Sequence, residues 1–163
     1  MVKIKVLAVG KTKEAWIKQG ILHYLRLLRK YSRTEVIEIK EEKVTDSKDL
    51  KGILDAEGER IIERLKRESG SGSWRLHIAL DRSGREISSE GLAHFLKQEM
   101  NRGSSEFTFI LGGPLGLSPR VLDSCRLKLS LSRMTFTHEM SRIILLEQIY
   151  RALSILQGSD YHK

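Results

Sequence analysis

Residues 106–126 read EFTFILGGPLGLSPRVLDSCR. The stretch opens on aromatic and β-branched residues, the composition of a buried strand. It breaks at Gly112, Gly113, Pro114 and Gly116, residues that punctuate regular structure. It restarts at Ser118-Pro119, where a serine can cap the first turn and a proline fits the first helical position. Strand over 106–112, tight turn, helix over 119–126: this is the repeating unit of an α/β chain. Glycines after a strand can let a ligand approach backbone, or can simply make the turn.

The rest of the chain repeats the pattern. Strands are expected at 2–9, 35–40, 74–81 and 127–132, and helices at 13–31, 48–68, 88–102 and 138–156. Asp46 or Ser47 is the expected cap of the second helix, and Ser88 or Ser89 of the third. Residues 82–87 read as a loop, SGSGS (69–73) as the most flexible stretch, and Gly158 as the stop of the last helix. With 163 residues, no internal repeat and no long linker, one domain spanning 1–163 is expected. Alternating strands and helices give an α/β fold with a mostly parallel sheet flanked by helices. Such sheets bind ligands beyond the carboxyl ends of their strands. Three strand ends therefore form the candidate crevice: ALDRSG (79–84), LGGPLGLS (111–118) and SLSRMTFTHEM (130–140).

Composition narrows the function classes. Lys plus Arg total 29 against 21 Asp plus Glu, a net charge of +8, which favours an anionic partner such as nucleic acid. Between Gly10 and Arg33 lie seven cations, Lys11, Lys13, Lys18, Arg26, Arg29, Lys30 and Arg33, against one acid, Glu14. Trp16, His23, Tyr24 and Tyr31 fall among them. These rings suit base stacking beside phosphate contacts, and equally suit core packing at helical spacing. The lone Cys125 excludes an internal disulfide and reads as a small core residue within a helix. No stretch is long and apolar enough to span a bilayer, no signal peptide precedes the first strand, and a cytoplasmic location is expected.

Motif chemistry excludes more than it selects. The glycine turn lacks the Gly-Lys-Ser/Thr of a Walker A loop and the spacing of G-x-G-x-x-G, which argues against a mononucleotide phosphate site. The five histidines lack paired ligand spacing, so no metal is expected. No G-x-S-x-G elbow is present. His138 opens the last helix, where a local hydrogen bond would also account for it. That helix is apolar on more than one face, through Met140, Ile143, Ile144, Leu145, Leu146, Ile149, Leu153, Ile155 and Leu156. Either a second copy of the chain or the monomer itself covers the extra face.

Three segments in order carry a resemblance: FILGGPLGLSPRV (109–121), LSLSRMTFTHEMSRIILLEQIYRALSI (129–155) and the ending YHK (161–163). Together, and with KIKVLAVGK (3–11) at the start, the chain resembles the RlmH family of bacterial SPOUT-class methyltransferases. The resemblance implies a deep trefoil knot, mainly within residues 107–157, that periodicity does not announce. It implies a homodimer that binds S-adenosylmethionine and methylates N3 of a pseudouridine, position 1915 of 23S rRNA, in the assembled ribosome. Carried over by motif, the cofactor pocket comprises Leu80, Gly112, Gly113, Gly116, Ser132, Arg133, Met134, Thr135, Phe136 and Thr137. Leu115 stands where family members often carry Glu or another polar residue. His138, Arg142, Tyr161 and His162 are the catalytic candidates, with the tail of one subunit completing the site of the other. Arg151 and Lys163 join the cations of 11–33 as candidate RNA contacts. A ribosome-associated binder without catalysis is the competing class, and it gives no reason for GGPLG and SLSRMTFTHEM to occur together.

Overall fold

The structure is a computed structural model that describes residues 1–43, 49–67 and 74–159. Five strands alternate with five helices: β1 (Val2–Val9), α1 (Ala15–Leu28), β2 (Ser32–Ile39), α2 (Leu50–Arg67), β3 (Trp74–Glu86), α3 (Ser89–Asn101), β4 (Ser104–Leu111), α4 (Pro119–Asp123), β5 (Leu127–Ser130) and α5 (His138–Leu156). The strands form one sheet in the order β2-β1-β4-β3-β5, and every neighbouring pair is parallel. All carboxyl ends therefore lie at one edge.

The near-continuous apolar runs of the central strands follow from burial on both faces. Successive side chains point to opposite sides of a strand. Ile4, Val6, Ile78, Phe107 and Phe109 pack with α1, α3 and α5. Leu7, Val9, Ala79 and Ile110 pack with α2 and the 117–122 segment around α4. α5 lies over the sheet between α1 and α3, with Leu145, Leu146, Ile149, Ala152 and Leu153 buried. Part of its surplus apolar surface is spent on α1. Ile143 sits where a Cβ on Gly20 would come within 2.8 Å of it, and Tyr150 meets Tyr24 and Tyr31 at ring centroid distances of 6.4 and 5.7 Å. Of the aromatics of this region, Tyr24 and Tyr31 thus pack inward, while Trp16 is 55% exposed.

Several expected boundaries shift. β3 continues through Glu86, where a loop over 82–87 was expected. Arg85 and Glu86 rejoin β5 opposite Leu129 and Ser130. Asp46, Ser47 and SGSGS lie outside the described residues. α2 is capped by Asp49, whose Oδ1 accepts from the Gly52 amide at 2.8 Å. Ser88 and Ser118 cap α3 and α4 through the amides of Gly91 and Val121. α4 ends at Asp123, so Cys125 is not helical. Its thiol donates to the Val121 carbonyl at 3.2 Å, and burial pushes its pKa up, which suits a packing residue and not a nucleophile. No helix among the described residues is long and apolar enough to cross a membrane.

Candidate active site

The carboxyl ends of β3, β4 and β5 enclose a crevice of about 340 Å³, within the range of small-molecule sites. Its floor is Leu80, Leu111 and Leu129, the last apolar residues of their sheet faces. One wall is the turn after β4. Gly116 N–H donates to the Gly113 carbonyl at 3.0 Å, closing a four-residue turn around Pro114 and Leu115. Gly116 holds it at φ +84°. A Cβ at Gly112 would lie 2.2 Å from the Gly116 carbonyl oxygen, so only glycine fits where the turn folds back on itself. The facing wall is the segment after β5. Ser130 Oγ donates to the Ser132 carbonyl at 3.1 Å, and the Met134 amide donates to Ser132 Oγ at 3.0 Å. The walls thus bring glycine backbone and short hydroxyl side chains beside apolar ones, with Met134 74% exposed.

Most of the candidates meet here. Leu80, Gly112, Gly113, Gly116, Ser132, Met134, Thr135, Phe136 and His138 all line the crevice. Three do not. Arg133 points outward, its Nε 3.2 Å from Glu86 Oε1. Thr137 is spent on capping α5, accepting from the Met140 amide at 3.2 Å. Arg142, one turn beyond His138, faces inward and is fully buried. Tyr161, His162 and Lys163 lie outside the described residues. Asp81, Arg82 and Ser141 also line the crevice. Asp81 and Arg82 fall within ALDRSG, already expected at the crevice, and Ser141, in the first turn of α5, had no signal of its own.

Arg142 ties α5 to the end of β1. Its guanidinium donates to the Val9 and Gly10 carbonyls, both at 2.8 Å, and to Thr12 Oγ1 at 2.5 Å, with Glu38 at 3.6 Å. Burial lowers its pKa, while Glu38, Glu139 and Glu41 oppose that. Beside it, Glu139 Oε2 accepts from the Lys13 and Glu14 amides at 3.0 and 3.1 Å, satisfying donors at the start of α1. Burial pushes this carboxyl up, but the two amides, Arg142 and His138 hold it below its ordinary value. Its share of stability is present at neutral pH and is lost as pH falls through that lowered pKa. Arg151 is paired with Glu147 on its own helix at 2.6 Å.

Behind the glycine turn lies a second carboxyl. Glu57 of α2 is buried, accepts from the Glu42 amide at 2.9 Å, and would stand 3.5 Å from a Cβ on Gly113. Burial raises its pKa, with the Glu42 amide and Arg60 opposing and Glu41 and Glu42 adding to the rise. The native state therefore holds this proton more tightly than the unfolded chain. Stability contributed here is greatest at acid pH and declines as pH rises through the raised pKa. Glu57→Gln is expected to be more stable than wild type at neutral pH, the gap closing towards acid pH. Thermal melts across that range measure it.

The cationic stretch 11–33 does not form one patch. Lys11 and Lys13 follow β1 at the crevice edge of the sheet. Arg33 pairs with Lys3 at the start of β1, at the opposite edge. α1 separates the two groups by 14 residues, about 21 Å at the helical rise. Arg26, Arg29 and Lys30 lie with Arg33, and Lys18 lies between. All seven are exposed. Among the described residues no three His, Cys, Asp or Glu side chains gather as metal ligands would.

A parallel α/β sheet with a crevice beyond its strand ends, one wall a glycine turn, is the arrangement in which such folds bind ligands. A family model described as predicted SPOUT methyltransferase matches residues 2–162, and the chain belongs to that family. It is 43% identical, over 99% of both chains, to the Ribosomal RNA large subunit methyltransferase H of Carboxydothermus hydrogenoformans. The fold also resembles solved structures at low identity. A probable methylase family protein from Haemophilus influenzae superposes with a TM-score of 0.52 at 12% identity, covering 99% of this chain and 70% of that one. The SpoU methyltransferase AviRb from Streptomyces viridochromogenes, solved with AdoMet, gives 0.50 at 13% identity, covering 95% of this chain and 58% of that one.

Proposed function

We propose that this protein methylates N3 of a pseudouridine, position 1915 of 23S rRNA, in the assembled ribosome, with S-adenosylmethionine as methyl donor. The observation that carries this reading is the crevice, which joins the glycine turn to the Ser132–Phe136 segment in a SPOUT-family chain. Its chemistry fits the donor: backbone polar groups and apolar Leu80, Met134 and Phe136 suit an adenosyl and methionyl group, and the glycines admit close approach. When bound, S-adenosylmethionine supplies a methyl already activated by its sulfonium. Gly112, Gly113 and Gly116 would hold it through backbone, with Ser132 and Thr135 beside them. The protein's task is then to position the acceptor and remove the N3 proton, since a protonated imide nitrogen is a poor nucleophile. His138, at the first turn of α5 and lining the crevice, takes that proton. Tyr161 and His162 of the partner's tail close the site and orient the base.

The reading includes a homodimer in the cytoplasm, a knotted 107–157 segment and one domain over 1–163. Exposed Trp16 and Leu22 on α1 leave apolar surface that a contact between copies would cover. The test is mass spectrometry of 23S rRNA from a strain lacking this protein. The N3-methyl mass is expected to vanish and to return with the wild-type gene. It should not return with a chain lacking Tyr161–Lys163, although that truncation keeps S-adenosylmethionine binding by calorimetry. Full restoration by the truncated chain would remove the tail from the mechanism.

A further inference from the structure

The four residues Asp81–Gly84 leave the sheet and come back. Leu80 and Arg85 both register with Leu129, so the residues between them form an excursion at the crevice mouth. Two features build it. Asp81 Oδ2 accepts from the Ser83 amide at 3.0 Å and from the Ser83 hydroxyl, which closes a local turn. Gly84 lies so close to β5 that a Cβ there would stand 2.7 Å from the Lys128 carbonyl carbon and 2.8 Å from the Leu129 amide nitrogen. No larger residue could bring the chain back at this point.

The excursion projects cations. Arg82 lines the crevice and is exposed, and Arg85, where the strand resumes, is exposed as well. Neither has an acidic partner within 4 Å among the described residues. Arg133, in the segment after β5, turns out of the crevice to Glu86 at the end of β3, and that pair is open to water, with side chains 90% and 50% exposed. An exposed pair of this kind is worth little and exchanges readily for a better anion. The acids of this rim are already committed, Asp81 to Ser83 and Glu86 to Arg133. Arg82 at the crevice, with Arg85 and Arg133 outside its lining, thus offers three guanidinium forks beside the site, and such forks match phosphate oxygens.

We propose that Arg82, Arg85 and Arg133 form a phosphate clamp that grips the rRNA backbone beside the target nucleotide and sets it over the crevice. This rests on the function proposed above. A phosphodiester is chosen over the carboxylate of the methyl donor because Arg85 and Arg133 stand outside the crevice lining, beyond reach of a ligand held within it. The clamp sits at the chemistry, whereas Arg26, Arg29, Lys30 and Arg33 sit at the far edge of the sheet.

The test compares wild type with Arg82→Ala, Arg85→Ala, the Arg82→Ala/Arg85→Ala pair and Arg82→Lys, using ribosomes purified from a strain lacking the protein. Arg82→Ala should raise the KM for ribosomes about tenfold with kcat little changed. It should also lower the salt slope of ribosome binding by about one, and the double variant by about two. Arg82→Lys should recover the slope but only part of the KM, because the charge returns without the fork. Arg85 lies outside the crevice lining, so Arg85→Ala carries the donor control: its S-adenosylmethionine affinity by calorimetry should be unchanged, which also shows that the crevice is intact. An unchanged salt slope and KM overturn the clamp while leaving the methyltransferase reading standing. Weakened S-adenosylmethionine binding with an unchanged slope assigns Arg82 to the donor's carboxylate and overturns it too. Absence of methylation by wild type overturns both.

Discussion

Arg142→Met is expected to lower the unfolding free energy by about 3–5 kcal/mol, measured by urea denaturation. Methionine fills a similar volume and keeps the helix, so the loss isolates the guanidinium. Two buried backbone carbonyls, Val9 and Gly10, lose their donor, and each unsatisfied group costs about 1–3 kcal/mol. Thr12 Oγ1 loses its donor as well. Glu38 costs less, because it is 41% exposed and water can replace the pair. Glu139 keeps the two amides and His138 but loses Arg142, so its carboxyl is held less far below its ordinary value and the part of stability lost in acid shrinks. Arg142→Lys should fall between the two, since a single ammonium cannot serve both carbonyls and the hydroxyl in one plane. The contrast with a catalytic role is direct. A residue that acted on the methyl acceptor would lose kcat and keep stability. Arg142→Met is expected to lose stability first, and at temperatures where it remains folded it should bind S-adenosylmethionine.

Why Arg142 misled the sequence reading is a matter of what local pattern can hold. His138 and Arg142 are four residues apart on one helix, and the resemblance put both among the catalytic candidates. The partners that turn Arg142 inward lie some 130 positions away, at Val9, Gly10 and Thr12. Nothing in the neighbourhood of residue 142 announces them. The strands were legible because each is a short apolar run of period two or a fully buried run, and α5 was legible over 138–156 from its apolar periodicity and the stop at Gly158. The Asp81–Gly84 excursion was not, since Asp, Arg, Ser and Gly spell a loop in any context. Only the register with Leu129 reveals that the strand resumes. The split of the 11–33 cations has the same origin: contiguity in sequence became opposite edges of the sheet, because α1 carries the chain from one to the other. The glycine turn was recognisable as a site, but the reason for its first glycine was not. That reason is a carbonyl four residues further on.

Gly112→Ala tests that reason, and a large loss is expected: S-adenosylmethionine binding weaker by about 100-fold or more by calorimetry, in a chain that still folds. A Cβ at this position would meet the Gly116 carbonyl oxygen at 2.2 Å and its carbonyl carbon at 2.3 Å. Both are backbone atoms of a turn closed by the Gly116-to-Gly113 hydrogen bond, so no side-chain rotation relieves the contact. The turn must open, and with it goes the wall of the crevice that presents backbone to the ligand. Gly116→Ala is the informative comparison. Its Cβ would meet nothing within 4 Å, but its φ of +84° disfavours any L side chain by about 1–2 kcal/mol. That variant should bind the donor with a modest loss, because the strain can be borne without moving the Gly113–Gly116 bridge. If the two alanines weakened binding equally, the wall would be acting through general loop strain and not through the close approach at Gly112. A Gly112→Ala chain that bound S-adenosylmethionine as wild type does would place the ligand elsewhere than against this turn, and the crevice would lose its claim to be the donor site.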